Sequence, residues 1–249
     1  MSETTIILGA TSGIARALAQ ELGSCGDNLV LAARDEEQLK ATAKDLQIRH
    51  SIQVGTVHFD AMDFDSHAKF WRQMQNTEAG TPTRIVLCYG YMASQEECQN
   101  NFAKAKRTFD INLTSACSLL ELAAAYFSNR GNGTIAIISS VAGDRGRATN
   151  YIYGASKAGL TAYASGLRNR LCKQGVHVLT IKPGMVDTPM TKGLINSDSP
   201  LVATAEKIAI DIRKALDRKK NVIYTQWFWR YIMMIIRSIP ESVFKLMKI

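Results

Sequence analysis

The stretch that decides the fold is Thr4-Thr5-Ile6-Ile7-Leu8-Gly9-Ala10-Thr11-Ser12-Gly13-Ile14-Ala15, near the amino terminus. Its apolar first half predicts a strand over Thr4–Gly9. Its second half places Gly9 and Gly13 in a turn from which a helix begins. Missing side chains let a pyrophosphate approach the backbone, and the free N–H groups at a helix N-terminus receive its charge. The stretch therefore predicts a phosphate-binding turn between a strand and a helix.

Apolar runs alternate with helical patterns outward from this turn. The other runs that predict strands are Asn28–Ala33, Ile52–Phe59, Arg84–Tyr89, Gly133–Ser139, Val176–Ile181 and Asn221–Thr225. The segments with helical spacing are Gly13–Gly23, Asp35–Ile48, Phe64–Asn76, Asn100–Arg130, Tyr151–Lys173 and Leu201–Leu216. This alternation predicts a single doubly wound Rossmann-type α/β domain with a seven-stranded parallel sheet. We assign residues 1–225 to that domain and residues 226–249 to a C-terminal apolar helical tail.

Length and composition limit the class of protein. The chain has 249 residues, 46% of them hydrophobic and 21% charged, so it can bury a full core as one large domain. Its five cysteines are odd in number and scattered, which argues against a disulfide framework or a zinc site. The four histidines lack metal-ligand spacing, and we expect no metal. The amino terminus has no basic region and no cleavage site, so we expect no signal peptide and a cytoplasmic protein.

The net charge of +8 is concentrated near the carboxyl end. From Arg213 onward there are nine Lys or Arg residues against Asp217 and Glu241, which leaves the first 212 residues close to neutral. A nucleic-acid-binding protein more often spreads such charge over a groove or a recognition helix. We therefore expect no nucleic acid partner.

Tyr153 and Lys157 are a candidate catalytic pair, because residues four apart in a helix share one face. An ammonium beside a phenol stabilises the phenolate. We therefore expect the pKa of Tyr153 to fall from about 10 toward working pH, which would make it a usable acid or base. Alone, this spacing is common on helix surfaces. It gains weight from two signals that precede it, the glycine turn at Gly9 and the pair Ser139-Ser140 that closes an apolar strand.

Together these signals resemble the short-chain dehydrogenase/reductase family over about residues 4–225. The family loop reads Thr-Gly-x-x-x-Gly-x-Gly, and here Leu8 replaces the threonine and Ala15 the last glycine. After the fourth strand the family usually has Asn-Asn-Ala-Gly, whereas this chain has Leu87-Cys88-Tyr89-Gly90 and keeps only the glycine. The departures indicate a divergent branch. The resemblance implies an oxidoreductase that moves a hydride between a nicotinamide and a carbonyl or secondary alcohol.

The resemblance also implies four catalytic residues, Asn112, Ser140, Tyr153 and Lys157. Ser140 would hydrogen-bond the substrate oxygen, Tyr153 would give or take its proton, and Lys157 would hold the nicotinamide ribose. Asn112 would hold a helix kink, or a water that connects Lys157 to solvent. Without the other three residues, Asn112 would more simply be a buried amide that satisfies backbone groups.

The glycine turn and the resemblance together imply a cofactor site assembled from several loops. We assign to it Gly9, Thr11, Ser12, Gly13, Ile14, Arg34, Asp60, Ala61, Gly90, Tyr153, Lys157, Pro183 and Thr188. Arg34 follows the second strand, where a guanidinium can pair with a ribose 2′-phosphate, and it predicts NADP(H). Its alternative role is a cap or a solvated residue at the strand exit. Asp60 matches the family's acceptor for the adenine amino group, and Pro183 and Thr188 match the family's nicotinamide-side motif.

The tail contains about ten nearly uninterrupted apolar residues between Trp227 and Arg237, too few to span a bilayer, which needs about twenty. Its tryptophans, its arginines and a second amphipathic piece, Val243–Ile249, are typical of a helix lying in the interface of an anionic membrane. The alternative is a helix that packs over the substrate pocket or into a partner subunit. The sequence leaves both open.

We therefore expect an NADP(H)-dependent oxidoreductase, cytoplasmic or peripheral at the inner face of a membrane, assembled as a dimer or tetramer. The tail and the divergent Leu87–Gly90 segment resemble reductases that act on polyprenyl-phosphoryl keto-sugars. One alternative is a membrane-associated reductase of steroids, fatty acyl chains or quinones. Another is a non-catalytic NADP-binding interaction protein on a membrane, against which Ser140, Tyr153 and Lys157 argue.

Overall fold

The computed structural model describes residues 3–191, 193 and 199–247, so Lys248 and Ile249 of the predicted tail lie outside the described residues. The strands of the main sheet are β1 (Thr4–Leu8), β2 (Asn28–Ala33), β3 (Val54–His58), β4 (Arg84–Leu87), β5 (Gly133–Ile138), β6 (Val176–Pro183) and β9 (Val222–Thr225). Two short strands, β7 (Met185–Val186) and β8 (Val202–Ala203), pair with each other. The main sheet is parallel throughout, in the order β3-β2-β1-β4-β5-β6-β9. The predicted seven-stranded Rossmann-type sheet is confirmed.

Helices cover both faces of this sheet. Those described are α1 (Gly13–Ser24), α2 (Glu36–His50), α3 (His67–Met74), α4 (Gln95–Asn100), α5 (Phe102–Phe109), α6 (Ser115–Arg130), α7 (Tyr151–Leu171), α8 (Ala205–Asp217), α9 (Trp229–Ser238) and α10 (Glu241–Phe244). Successive strand residues point to opposite faces. In β1, Ile7 therefore joins the core under α1, α2 and α8, whereas Ile6 and Leu8 join the core under α3, α6 and α7.

The strand order reverses between β1 and β4, which lie side by side although β2 and β3 separate them in the chain. In a doubly wound sheet, the crevice at the carboxyl ends of the strands at such a switch point is where ligands bind. The glycine turn after β1 and the Cys88-Tyr89-Gly90 segment after β4 both lie there. The topology thus places the two segments beside each other.

The predicted helical stretch over Asn100–Arg130 is helical from Phe102 to Arg130, but it is not one regular α-helix. It is divided into α5, a π-helical turn at Asp110–Thr114 and α6, and α4 precedes it unpredicted. A π turn accommodates one extra residue and bends the helix, often at a functional site. The predicted strand Arg84–Tyr89 is also too long, since β4 ends at Leu87 and the chain turns toward the crevice.

The tail forms α9 and α10, separated at Pro240. Trp229 and Met233 of α9 are buried and pack with Val141, next to the predicted catalytic serine. Gly184 allows this approach, because a Cβ there would overlap the indole of Trp229. Among the described residues, no helix has the length and apolar character needed to cross a bilayer.

Candidate active site

The turn after β1 is shaped by close backbone packing. Gly9 has φ +78°, and a Cβ on it would lie 2.7 Å from the backbone nitrogen of Tyr89, so only glycine fits without strain. Ser12 is the N-cap of α1, yet its hydroxyl makes no capping bond and is buried without a partner among the described residues. The first turn of α1 has no acidic residue. The helix dipole and a free buried hydroxyl therefore suit an anion such as a pyrophosphate.

Two adjoining cavities lie at the carboxyl ends of the strands. The first, of about 230 Å³, contains the predicted residues Thr11, Ser12, Gly13, Ile14, Gly90, Ser140, Tyr153, Lys157, Pro183 and Thr188 in its lining. The second, of about 500 Å³, contains Gly9, Thr11, Ser12, Arg34, Asp60, Ala61 and Gly90 in its lining. The shared residues show that the cavities adjoin at the glycine turn. The fold therefore brings together every predicted site residue except Asn112, which lies behind the cavities.

Ser140, Tyr153 and Lys157 all face the first cavity. Tyr153 and Lys157 lie on α7, and the Lys157 ammonium is 5.8 Å from the centre of the Tyr153 ring. Lys157 Nζ donates a hydrogen bond of 3.0 Å to the carbonyl oxygen of Ile138 in β5. The helical spacing therefore orients both side chains toward the end of the strand that supplies Ser140.

Burial controls the ionisation of this pair, contrary to the sequence expectation for the tyrosine. Burial raises the pKa of Tyr153 to about 12, while the Ser140 hydroxyl acts in the lowering direction. Burial lowers the pKa of Lys157 to about 8. The expected fall of the Tyr153 pKa is thus wrong, because the loss of solvation on burial outweighs the Ser140 hydrogen bond, and the Lys157 ammonium lies 5.8 Å from the ring centre, farther than a salt-bridging distance. Tyr153 holds its proton at neutral pH.

A tight turn holds Ser140 against α7. Ser140 caps the 3₁₀ turn at Val141–Gly143, and its Oγ accepts a hydrogen bond of 3.1 Å from the backbone N–H of Ala142. A Cβ on Gly143 would lie 2.7 Å from the backbone nitrogen of Ala158, and a Cβ on Gly154 would lie 2.8 Å from the carbonyl oxygen of Ala142. Two glycines therefore let the turn and the helix touch through their backbones, which sets Ser140 close to Tyr153.

Asn112 lies in the π-helical turn and is 1% exposed. Its Oδ1 accepts a hydrogen bond of 2.8 Å from the N–H of Tyr91, and its Nδ2 donates to the carbonyl of Tyr91 at 2.8 Å and to Ser156 Oγ at 3.0 Å. The amide thus joins the segment after β4 to α7, one residue from Lys157. The structure places it at a helix irregularity, as the sequence suggests, and as a satisfied buried amide.

The second cavity contains the residues predicted for the adenosine half. Arg34 is exposed at the end of β2. The next residue, Asp35, caps α2 by accepting a hydrogen bond of 3.0 Å from the N–H of Gln38. Asp60 Oδ1 accepts a hydrogen bond of 2.9 Å from the N–H of Met62. Arg34 and Asp35 therefore both line the second cavity, and one oxygen of the Asp35 carboxylate is engaged in capping α2.

The segment after β6 closes the first cavity on the other side. Pro183 is buried, and Thr188 lies against the phosphate turn, since a Cβ on Gly13 would be 3.2 Å from Thr188 Cγ2. Thr188 Oγ1 is 3.2 Å from Thr191 Oγ1. The Pro-Gly segment is thus positioned to contact a ligand that extends from the glycine turn.

Sequence reasoning missed several residues that line the cavities. They include Tyr91, Arg107, Thr191 and Met190, the last of which lines both cavities. Arg107 projects from α5 over the ring of Tyr91, with 5.4 Å between the guanidinium carbon and the ring centre. Nothing in its local sequence distinguishes Arg107 from other basic residues on an amphipathic helix. The tertiary structure places Arg107 in the lining of the second cavity.

Comparison with known families follows this geometry. Residues 3–198 match the family model described as short chain dehydrogenase. The chain belongs to the short-chain dehydrogenase family. The resemblance seen in the sequence is therefore confirmed, and membership makes the protein an oxidoreductase with a nicotinamide cofactor.

Full-length relatives agree with this assignment. An uncharacterized oxidoreductase of Mycobacterium tuberculosis is 35% identical over 97% of this chain and 96% of its own. An uncharacterized oxidoreductase of Streptomyces coelicolor is 34% identical over 96% of this chain and 94% of its own. The similarity therefore extends through the tail, beyond the part that matches the family model.

Solved structures support the fold of this short-chain dehydrogenase. The short-chain dehydrogenase from Sphingobium yanoikuyae in complex with NADPH superposes with a TM-score of 0.82 at 24% identity, covering 96% of this chain and 97% of that one. A mutant actinorhodin polyketide ketoreductase with NADPH superposes with a TM-score of 0.81 at 20% identity, covering 92% and 97%.

Proposed function

We propose that this short-chain dehydrogenase is NADP(H)-dependent and interconverts a carbonyl and a secondary alcohol. The observation that carries the proposal is that Ser140, Tyr153 and Lys157 face one cavity, and that this cavity adjoins, at the glycine turn, a second cavity lined by Arg34. The bound cofactor would supply or accept the hydride. The chain itself supplies the orientation and the proton.

Each catalytic side chain has a separate task. Tyr153 keeps its proton at neutral pH because burial raises its pKa to about 12, which suits it to protonate a substrate oxygen during carbonyl reduction. Ser140 offers its hydroxyl to the same oxygen and orients it. Lys157 would hold a ribose hydroxyl and place positive charge beside the phenol when the alcohol is oxidised. Asn112 would hold the π turn and the Tyr91 segment in position behind Lys157.

Replacement of Tyr153 by Phe tests the catalytic assignment. The variant should lose about 10²–10⁴-fold in turnover number with a carbonyl substrate, since only the proton donor is removed. Its dissociation constant for NADPH, measured by fluorescence titration, should stay close to wild type. A variant that retains a tenth of the wild-type rate would show that another group moves the proton. Tyr151→Phe is the matched control, because Tyr151 is exposed and lies two residues before Tyr153 on the same helix.

The choice of NADP(H) rests on Arg34. Arg34 and Asp35 both line the second cavity, but one oxygen of the Asp35 carboxylate caps α2, so Arg34 is the side chain that we expect to meet a ribose 2′-phosphate. Both solved structures described above contain NADPH, which agrees with this proposal. A charge-assisted hydrogen bond of this type contributes about 1.5–3 kcal/mol, or roughly tenfold or more in affinity.

Arg34→Ala tests that choice. Titration of NADPH and NADH should show a preference for NADPH of about tenfold or more in the wild type and little preference in the variant, since 1.4 kcal/mol is tenfold. Arg72→Ala, an exposed arginine on α3 away from both cavities, should leave the preference unchanged. Equal affinities of the wild type for the two dinucleotides would refute the assignment.

We propose an apolar carbonyl as the substrate class, with a lipid-linked keto-sugar as the leading candidate. The lining of the first cavity includes Ile138, Val186, Pro189 and Met190, which favours a substrate that carries an apolar part. The resemblance of the tail and of Leu87–Gly90 to keto-sugar reductases supports the same class. Turnover on a panel of lipid-linked keto-sugars, steroids, acyl chains and quinones distinguishes the candidates, and turnover of none would favour a non-catalytic binding protein.

We also propose that the tail contacts an anionic membrane. Helix α9 buries Trp229 and Met233 but exposes Tyr231, Met234 and Ile235, which are 52%, 58% and 63% exposed. A helix that is apolar on all sides is usually covered on all sides. The exposed residues Arg230, Arg237 and Lys245 border this outer face, and their charge complements an anionic lipid rather than an apolar protein surface. One face of α9 therefore packs on the protein, and we propose that the other face contacts the membrane.

Vesicle co-sedimentation tests the membrane contact. Binding should require an anionic lipid such as phosphatidylglycerol and weaken with added salt, because each Lys or Arg near such a surface contributes about 1 kcal/mol. Light scattering on the intact protein measures the proposed dimer or tetramer separately. Loss of oligomerisation in an outer-face variant, without vesicle binding by the wild type, would show that a second copy covers this face instead.

A further inference from the structure

Asp144 and Lys182 form a buried ion pair behind the turn that Ser140 caps, residues 140–144, which we call the serine turn. Lys182 Nζ lies 2.5 Å from Asp144 Oδ1, and the side chains are 9% and 3% exposed. The hydroxyl of Tyr224 donates a hydrogen bond of 2.7 Å to Asp144 Oδ2. Both carboxylate oxygens are therefore occupied. Because taking two charges out of water costs most of what their attraction returns, net stability is a weak explanation for such a pair.

The pair connects two segments that line the first cavity. Lys182 lies in β6, paired in register with Tyr224 of β9, and comes immediately before Pro183-Gly184. Asp144 ends the turn that begins at Ser140, and its N–H donates to the carbonyl of Val141. Neither Asp144 nor Lys182 lines the cavity itself. The pair therefore acts on the cavity only through the segments that it joins.

The serine turn meets the segment after β6 through the ion pair and, less directly, through Trp229, which packs with Val141 and approaches Gly184. The backbone ladder between β5 and β6 ends where Ser139 N–H donates to the carbonyl of Ile181. Beyond that point, Gly143 and Gly154 hold the turn against α7 and hence against Tyr153. These glycine contacts do not relate Ser140 to the segment after β6. The Asp144–Lys182 pair spans that interval.

We propose that Asp144 and Lys182 are positioning residues that hold Ser140 in register with the Pro183-Gly184 segment. The inference rests on the proposed function, in which Ser140 orients the substrate oxygen and the Pro183 segment borders the nicotinamide. The pair relates the substrate side of the site to the cofactor side, whereas the glycine contacts relate Ser140 to the proton donor. A displacement of about 1 Å at such a position can cost about 10²-fold in rate.

Kinetics of Lys182→Met in two backgrounds test the proposal. In the wild-type background, kcat should fall by about tenfold or more, because the turn loses its tie to β6. NADPH affinity should stay within about threefold, since the substitution does not touch the glycine turn or the second cavity. In a Ser140→Ala background, the same substitution should lower kcat by less than about twofold, because residues that act through one group are not additive.

Two further variants separate positioning from folding. The double variant Asp144→Asn/Lys182→Met leaves no unpaired buried charge, so its melting temperature should approach that of the wild type while kcat stays about tenfold low. Lys182→Arg retains the pair and should restore kcat to within about threefold of wild type. Arg170→Met is the matched control, since it breaks the half-exposed pair between Arg170 of α7 and Glu121 of α6. It should change neither kcat nor the melting temperature.

Three results would overturn the proposal. Equal fold-losses in the Ser140 and Ser140→Ala backgrounds would show a general effect on the fold. Recovery of kcat together with melting temperature in the double variant would show that the pair has no positioning role. Unchanged turnover in Lys182→Met would show the same. A wild type that turns over no carbonyl or alcohol would refute the proposed function instead, and that outcome is distinct from the other three.

Discussion

The glycine turn at residues 9–14 and the tail at residues 226–247 approach the same site from opposite ends of the chain, and they do so by different means. The turn is a local device, because its shape follows from glycines a few residues apart. The tail depends on distant residues, since Trp229 fits only against Gly184 and Val141. A region built from local geometry can be interpreted from the sequence, whereas a region built from long-range packing cannot.

Both regions nevertheless use close approach to a glycine. Gly9 admits the backbone of Tyr89, and Gly184 admits the indole of Trp229. The tail is held further by Arg145, which donates to the carbonyl oxygens of Ile236 and Ile239 at the end of α9 and pairs with Glu241 at 2.9 Å. Arg145 follows Asp144 directly, so the segment after Ser140 contacts both the tail, through Arg145, and β6, through Asp144. We propose that the turn contacts the cofactor and that the outer face of the tail contacts lipid.

The largest effect is expected at the turn. Gly9→Ala combines left-handed backbone strain of about 1–2 kcal/mol with overpacking against Tyr89 of about 1–3 kcal/mol. Chemical denaturation should show a loss of about 2–5 kcal/mol in unfolding free energy, and NADPH titration should show loss of cofactor binding. Gly131→Ala is the control, because Gly131 also has positive φ but no atom lies within 4 Å of its Cβ position. Comparable losses in the two variants would mean that contact with Tyr89 does not matter.

A smaller effect should separate the two faces of the tail through adjacent methionines. Met233 is fully buried and Met234 is 58% exposed. Met233→Ala should lower the unfolding free energy by about 2–3 kcal/mol, near the low end for methionine because its cluster is small. Met234→Ala should change it by less than about 0.5 kcal/mol.

The lipid readout should reverse that order. Vesicle co-sedimentation should weaken in Met234→Ala, since the outer face loses apolar area, and should persist in Met233→Ala at temperatures where that variant is folded. NADPH affinity should stay near wild type in both. If both variants lost stability equally, the outer face would be buried against a second copy of the chain. That result would remove the contrast between the inner and outer faces.

The smallest effect concerns the site on which both regions pack. Burial lowers the pKa of Lys157 from 10.5 to about 8. Between these values the unfolded chain binds more protons than the native one, so the contribution of Lys157 to stability rises with pH across that window. The stability of Lys157→Met relative to wild type should therefore be most favourable below pH 8 and decline as pH rises. Denaturation at several pH values measures this. If the stability of Lys157→Met relative to wild type instead rose with pH, the buried ammonium would be contradicted.

Sequence patterns predicted the parts whose causes are local. The β-branched runs predicted the seven strands, and the glycine spacing predicted the turn after β1. The four-residue spacing of Tyr153 and Lys157 placed both on one face of α7. These predictions succeed because periodicity and backbone sterics act over a few residues.

The failed predictions involve partners far away in the chain. The break between α5 and α6 depends on Asn112, whose partners Tyr91 and Ser156 are 21 and 44 residues away. The rise of the Tyr153 pKa depends on burial among strands and loops that no spacing reveals. Arg107 lines the second cavity and lies over the ring of Tyr91, a packing that its local sequence does not reveal.

The sequence by itself determined the strand and helix alternation, the glycine turn, the family and the candidate catalytic side chains, because each depends on short-range sterics or on residue chemistry. Only the tertiary structure decided the ionisation of Tyr153, the pairing of Asp144 with Lys182 and the two-faced packing of the tail. Those features depend on solvation and on distances between segments. Solvation and distance are properties of the packed molecule, because they arise only when residues remote in sequence exclude water together.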